Sequence, residues 1–268
     1  MPLISIISSV YAPSATYLDE TIASVQKLAL PAGWELEWVV QEDGAQPSLG
    51  DRLQALGIVK YQANGSQFGL AITRNLALAR ASGSLVQSLD HDDILLADAL
   101  TTLIPRFDDP RVQWAIGQAD DLLPDGTRQV YESAIPFGLI PAGTMNHWAA
   151  THDGNWPIQC AALMIRTTPL RALGGWTGIP HDDDVSMFAA LSEITDGYYD
   201  KALTWLYRHH PLQLSRTTHA ISRSAEGRRI ALQRAHAMRA SGLLFDPAKQ
   251  THSHAPDVDL GEPVKQRG

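Results

Sequence analysis

Leu85-Val86-Gln87-Ser88-Leu89-Asp90-His91-Asp92-Asp93 decides how this chain is read, because an apolar, strand-like run ends by delivering three carboxylates within four positions. Two carboxylates spaced by one residue suit a hard divalent cation, held directly or through water, with positions left open for the phosphate oxygens of a substrate. The same acids also suit a solvated turn before a helix N-terminus, where capping and the macrodipole favour Asp. The flanking sequence has to choose between these readings.

Upstream, strand and helix patterns alternate. Ile4 to Val10 reads as a first buried strand, broken by Tyr11-Ala12-Pro13-Ser14, and Leu18, Ile22, Val25 and Leu28 follow at helical spacing with Asp19 and Glu20 in the first turn. Glu37 to Gln41 is a second strand ending at Glu42-Asp43-Gly44, and Ile58 to Tyr61 a third. Leu70 through Ala81 reads as a helix carrying Leu70, Leu76, Leu78 and Ala79. This alternation predicts a mainly parallel sheet covered on both faces, in which ligands sit at the carboxyl ends of strands. Asp43 and Asp90 to Asp93 both fall at such ends.

Downstream, Leu95 to Phe107 reads as a helix and Val112 to Ile116 as a strand, while residues 135–157 read as a long structured loop lining a site. Within that loop Trp148 and Trp156 can stack on sugar rings or simply fill core. A strand at Ala161 to Ile165 and a helix at Thr168 to Leu173 lead to Gly174-Gly175-Trp176, then to His181-Asp182-Asp183-Asp184 opening an apolar helical stretch. Ala202 to Tyr207 is a strand ending in Arg208-His209-His210, an imidazole pair that can ligate metal or sit on the surface. From His219 to about Phe245 the chain reads as a packed helix with a basic face, which can be merely solvated or can dock an anionic surface; beyond Asp246 disorder is expected.

Composition narrows the function classes. The 268 residues are 44% hydrophobic, enough for a proper core, and a net charge of −8 from 21 basic and 29 acidic residues argues against a nucleic-acid binder. Cys160 is the only cysteine, which rules out an intrachain disulfide and a Cys-rich metal site. The opening residues lack a basic n-region and no eighteen apolar residues run together, so neither a signal peptide nor a transmembrane segment is expected, and the setting expected is cytoplasmic.

Taken together, these pieces resemble the family-2 glycosyltransferases, nucleotide-sugar enzymes of the GT-A fold, from about Ile4 to Ser215. The opening strand Ser5 to Ala12 and the helix with Thr21-Ile22-Ala23-Ser24-Val25 are similar to the family's first strand and helix, with Ser9 and Ala12 where Pro and Asn are usual. Val39-Val40-Gln41-Glu42-Asp43 is similar to its second strand, and Gly69-Leu70-Ala71-Ile72-Thr73-Arg74-Asn75 to its Gly-x-x-x-Ala-Arg-Asn element, with Thr73 for Ala. Asp90-His91-Asp92 resembles the Asp-x-Asp motif. Gly174-Gly175-Trp176 followed by Asp183-Asp184 resembles Gly-Gly-aromatic then Glu-Asp, with Asp183 for Glu and Ser186 where a further acid is frequent. Tyr207 to Ser215 is similar to the closing Arg-x-His segment.

The resemblance implies a GT-A domain over residues 1–218, with a nucleotide-sugar half at 1–118 and an acceptor and catalytic half at 119–218; residues 219–245 form a helical extension and 246–268 a tail. It implies donor contacts from Ser9, Tyr11, Asp43, Arg74, Asp90 and His91, with Arg74 orienting the acids or reaching a phosphate. Asp92 and, by spacing, His210 rather than His209 are the expected ligands of Mn²⁺ or Mg²⁺. Asp184 is the expected base, assisted by Asp183, in an inverting transfer from a nucleoside diphosphate sugar, most commonly a uridine one. A small or soluble acceptor is expected on the side of Trp148 and Trp156, and association of identical copies is left open. Two rivals stand beside this reading. A sugar nucleotidyltransferase lacks support in the absence of a Gly-rich loop or Lys after the first strand, and a non-catalytic sugar-nucleotide binder draws on the departures at Ser9, Ala12 and Asp183.

Overall fold

The computed structural model describes residues 1–179, 181–216 and 218–246. Its elements run β1 (Leu3–Tyr11), α1 (Leu18–Val25), β2 (Glu35–Asp43), α2 (Gly50–Gln54), β3 (Val59–Ala63), α3 (Leu70–Arg80), β4 (Leu85–Ser88), β5 (Ile94–Leu95), α4 (Ala99–Leu103), β6 (Val112–Leu122), β7 (Arg128–Gln129), β8 (Gly138–Ile140), α5 (Thr144–Thr151), β9 (Met164–Arg166), α6 (Thr167–Ala172), α7 (Asp183–Ile194), β10 (Asp196–Arg208) and α8 (Thr218–Ser241). Among the described residues the strands join in one mixed sheet of order β3-β2-β1-β4-β9-β6-β10-β5, with β7 on β6 and β8 on β10. Its long pairings are parallel: β1 with β2 and β4, β2 with β3, and β6 with β10. The short β9 lies antiparallel between β4 and β6 and joins the two halves.

The strand-helix alternation read from the sequence builds the parallel part of the sheet, and β1, β2 and β4 all deliver their carboxyl ends to one side. Ile4, Ile6 and Ile7, Trp38, Val39 and Val40, and Leu85 and Val86 are buried at these strand centres, feeding apolar clusters on both faces. Strands covered on both faces are buried along their length rather than on alternate residues, and β1, β2 and β4 are.

The structure departs from the sequence reading in four elements, one of them the strand expected at Ala161 to Ile165, which is a 3₁₀ turn at Cys160–Ala162 and then β9. The helix expected at Leu95 to Phe107 is the short β5, then α4, then a 3₁₀ turn at Ile104–Asp108; Pro105 lacks the N–H that would continue the α-helix. Residues 135–157, read as a loop, contain β8 and α5, since an apolar contribution from Met145 and Ala149 anchors the helix in the core. On α3 the inward face is Ala71, Arg74, Ala77 and Leu78, while Leu76 is 38% exposed. An arginine occupies a core position there because acids await it inside, as described below. The basic C-terminal segment does form a packed helix, α8, whose Ala231 and Ala235 are buried with Ala189 of α7. The disorder expected beyond Asp246 lies outside the described residues.

Candidate active site

The carboxyl ends of β1, β2 and β4, the loop before α3, the 154–161 segment, the first turn of α7 and the segment after β10 enclose a cleft of about 960 Å³. Ser9, Tyr11, Asp43, Arg74, Asp90, His91, Asp92, Trp156, Asp183 and Asp184 all line it. His210 sits behind Asp92. Trp148 does not line the cleft: it is on α5, where its ring stacks on His152 at 3.9 Å. Trp156 is the tryptophan brought to the cleft wall, its indole N–H donating to Asn146 at 3.0 Å.

Arg74 is the centre of the arrangement. Its guanidinium, 3% exposed, donates to Asp90 Oδ1 at 2.5 Å and to Asp183 Oδ2 at 2.8 Å. Residues distant in the chain are tied through one planar fork, a geometry suited to two carboxylates at once. The next residue, Asn75, donates its amide to the Trp176 carbonyl and accepts the Trp176 N–H, both at 2.8 Å. Gly175 has φ +71° and an added Cβ would lie 2.1 Å from Asn75 Oδ1, so glycine is required by conformation and space. The Arg-Asn pair thus holds the acids with one side chain and the Gly-Gly-Trp turn with the other.

The acids themselves are arranged differently from one another. Asp183 opens α7 and is buried; burial pushes its carboxyl up, and Arg74 opposes the shift. Asp184, half-buried beside it, accepts the Val185 N–H at 2.8 Å. Burial, then the neighbouring Asp183 and Asp90 charges, push Asp184 up to about 6 against the pull of Arg74. A carboxylate poised there suits proton abstraction near neutral pH.

On the β4 side, Asp92 Oδ2 lies 2.8 Å from His210 Nε2, while His209 is drawn away to Asp121 at 2.7 Å. His210 Nδ1 is buried with no partner among the described residues. Asp93 faces inward, accepts the Arg208 N–H at 2.9 Å, and has its carboxyl pushed well up by burial and by Asp92 and Asp90. It anchors the turn and leaves Asp90 and Asp92 to face the cleft.

Asp43 is engaged by the 64–69 turn: Oδ1 accepts from Asn64 at 2.9 Å and the Phe68 N–H at 2.7 Å, and Oδ2 from the Gly69 N–H at 3.0 Å. A carboxylate has about four acceptor sites, so one remains toward the cleft. His91 meets Ser14 at 3.2 Å, and Ser9 Oγ is buried with no partner among the described residues.

Two residues support the acidic turn from behind. The Thr21 hydroxyl shares its single proton between the carbonyls of His91 and Asp93, at 3.0 and 2.9 Å. Arg208 donates to the Asp92 carbonyl at 2.8 Å and lies 4.3 Å over the Tyr17 ring. Arg208 is the Arg of the Arg-x-His segment, though that likeness does not say what it bonds to. A lone Thr on a helix says no more.

As for a metal, Asp92 and His210 converge, but among the described residues no three His, Cys, Asp or Glu side chains form a cage. Mg²⁺-like ions on nucleotide substrates are held by one or two carboxylates, with phosphate oxygens and water completing the shell. Asp92 offers such a carboxylate at the cleft, and His210 Nε2, 2.8 Å from it, would be a further nitrogen donor.

The family model for glycosyl transferase family 2 matches residues 5–164, more than half of the chain. The chain belongs to glycosyltransferase family 2. The matched span contains β1 through the start of β9, with Asp43, Arg74, Asp90 and Asp92 inside it. An uncharacterised protein of Sinorhizobium fredii is 31% identical over 135 residues, covering 47% of this chain and 14% of its own length. Among solved structures, S. aureus TarS 1–349 in complex with UDP-GlcNAc has a TM-score of 0.61 at 16% identity, over 78% of this chain and 59% of that one. The same TarS fragment with UDP also has a TM-score of 0.61 at 16% identity, over 79% and 61%. The likeness is one of fold, the GT-A architecture expected from the motifs. The chain spans about three fifths of those TarS chains. No described helix is long and apolar enough to cross a membrane.

Proposed function

We propose that this family-2 protein transfers a sugar from a nucleoside diphosphate donor to an acceptor hydroxyl with inversion at the anomeric carbon. The observation that carries the reading is the Arg74 fork. It fastens the acid at the end of β4 to the acid pair opening α7, so the donor-side carboxylates and a base of pKa about 6 face one cleft.

In this reading the nucleotide lies at the ends of β1 and β2, where the unpartnered Ser9 hydroxyl and the free site on Asp43 offer polar contacts. The TarS structures with UDP and UDP-GlcNAc support a uridine donor as the first to test. A sugar leaving as its diphosphate develops negative charge on phosphate, and Mn²⁺ or Mg²⁺ held by Asp92 and His210 supplies Lewis-acid stabilisation of that charge when bound. Arg74 stays charged between its carboxylates and holds Asp90 and Asp183 in place without entering the reaction. Asp184 takes the proton of the attacking hydroxyl, and Asp183 raises its basicity by like-charge proximity. With one base and no nucleophile placed to form a sugar-enzyme bond, displacement is single and an α-linked donor yields a β-linked product. Trp156 offers the acceptor a flat apolar face. The donor, not a triphosphate, is favoured because no Gly-rich loop or Lys follows β1.

Asp184→Asn tests the assignment. Transfer should fall by about 10²–10⁴-fold, the usual share of a general base, while UDP-sugar affinity measured by calorimetry stays within a small factor of wild type. Near-normal turnover in that variant sinks Asp184 as the base.

A further inference from the structure

A second depression of about 960 Å³ runs along α8 and opens into the cleft, sharing Gly154, His181, Asp182 and Arg228 with it. Its floor on α8 is a stripe at helical spacing from Ser224 through Arg228 and Leu232 to His236, flanked by Arg229 and Gln233. Twelve residues of helix make this about 18 Å long. One end is fixed beside the catalytic acids: Ser224 donates to Asp182 Oδ2 at 2.9 Å, two residues before Asp184. Gly227 allows that approach, since an added Cβ would lie 2.7 Å from the His181 carbonyl.

We propose that this groove receives the acceptor, and that Arg229, with His236, recognises an anionic group, phosphate or carboxylate, carried by it. The inference rests on the glycosyltransferase reading and names the acceptor's chemistry. Single displacement requires the hydroxyl to attack from the side of the sugar opposite the diphosphate. With the diphosphate at Asp92 and the base at Asp184, the acceptor's remaining atoms must leave past Asp184, where the groove begins.

The charge of the groove follows from its bonding. Asp182 is compensated within the protein, by His181 Nδ1 at 2.8 Å, by Ser224, and by Arg228 Nε at 3.9 Å. Arg228 also donates to Asn155, Arg234 to Thr177 and Ser186, and Arg239 to Glu193. Arg229, exposed in the groove, has no hydrogen-bond or ion-pair partner among the described residues, and Asp153 is the other carboxylate there. In a chain of net charge −8 an uncommitted guanidinium in the groove that opens into the cleft selects for an acidic ligand.

The test is a titration of the full chain with glucose, glucose 6-phosphate and glucuronate in the presence of UDP and Mn²⁺ at constant ionic strength, read by calorimetry and by the His236 ring resonances. At least one charged sugar should bind tenfold or more tightly than glucose and shift His236; the two charged sugars distinguish phosphate from carboxylate recognition. In Arg229→Gln, of unchanged Tm, that advantage should vanish, whereas it should persist in Arg223→Gln, an exposed α8 arginine outside the groove. Equal binding of all three sugars, or an advantage that survives Arg229→Gln, overturns the groove assignment alone. Failure of the wild-type chain to bind UDP in a separate titration defeats the glycosyltransferase reading, and the acceptor role with it.

Discussion

Arg74 and Asp184 illustrate how one buried cation sets the behaviour of the acids around it. Removing the guanidinium in Arg74→Ala leaves Asp183 unpaired in the interior and Asp90 without its anchor. Breaking a buried pair from one side costs about 3–5 kcal/mol, so a marked fall in Tm at neutral pH is expected, smaller at low pH where the carboxyls take up protons. Asp184 gives a prediction of the opposite kind, in activity. Its pKa is raised to about 6, so the base is ionised above that pH and protonated below it. The kcat/KM profile should therefore be flat above pH 6 and fall by about tenfold per pH unit below it. An acidic limb near 4 would show that the base lies elsewhere or in a wetter environment. Residue type and order made these acids visible in the sequence. That Asp93 turns inward while Asp92 faces the cleft was not visible, because adjacent carboxylates in one turn differ only in the direction their side chains take.

At the scale of elements, the sequence conveyed strands better than helix faces. The buried strands announce themselves through the β-branched Ile4, Ile6, Ile7 and Val10 and through Trp38-Val39-Val40, whereas α3 reads by its leucines. Its inward face is small residues around Arg74, a choice made by the acids of β4 and α7, which lie far away in sequence. The same α3 explains the Gly-Gly-Trp turn. Gly175→Ala should cost about 1–3 kcal/mol from positive φ and the collision with Asn75. Asn75→Ala should also destabilise, but the double substitution should be clearly less than additive, since the collision disappears with the amide. Full additivity in denaturant melts would show that the two residues do not meet. Residues 135–157 were read as a loop because Pro, Gly and Asn punctuate them, and α5 forms there because tertiary burial of Met145 and Ala149 outweighs local punctuation.

For the whole molecule, the two halves of the sheet meet at the short antiparallel β9, and the site lies where β4, α3, α7 and the segment after β10 converge. Such a site should tighten when its ligand binds. UDP at a hundredfold excess over its Kd stabilises by about 2.7 kcal/mol, and the Tm increase should be larger with Mn²⁺ than in excess chelator. His210→Ala should erase the difference between the two conditions while leaving a UDP shift in chelator; an unchanged metal effect would remove His210 from the ligand set. By itself the sequence determined the order of strands and helices, the two acidic strand and helix ends, and the family, because burial on both faces and local acid spacing are written along the chain. Tertiary structure alone decided that Arg74 is internal, that Asp93 turns inward, that Trp156 and not Trp148 faces the cleft, and that α8 lays a groove beside Asp184. Each of these depends on contacts between residues separated by tens of positions or more, and side-chain direction at such contacts is fixed only when packing on every side is complete.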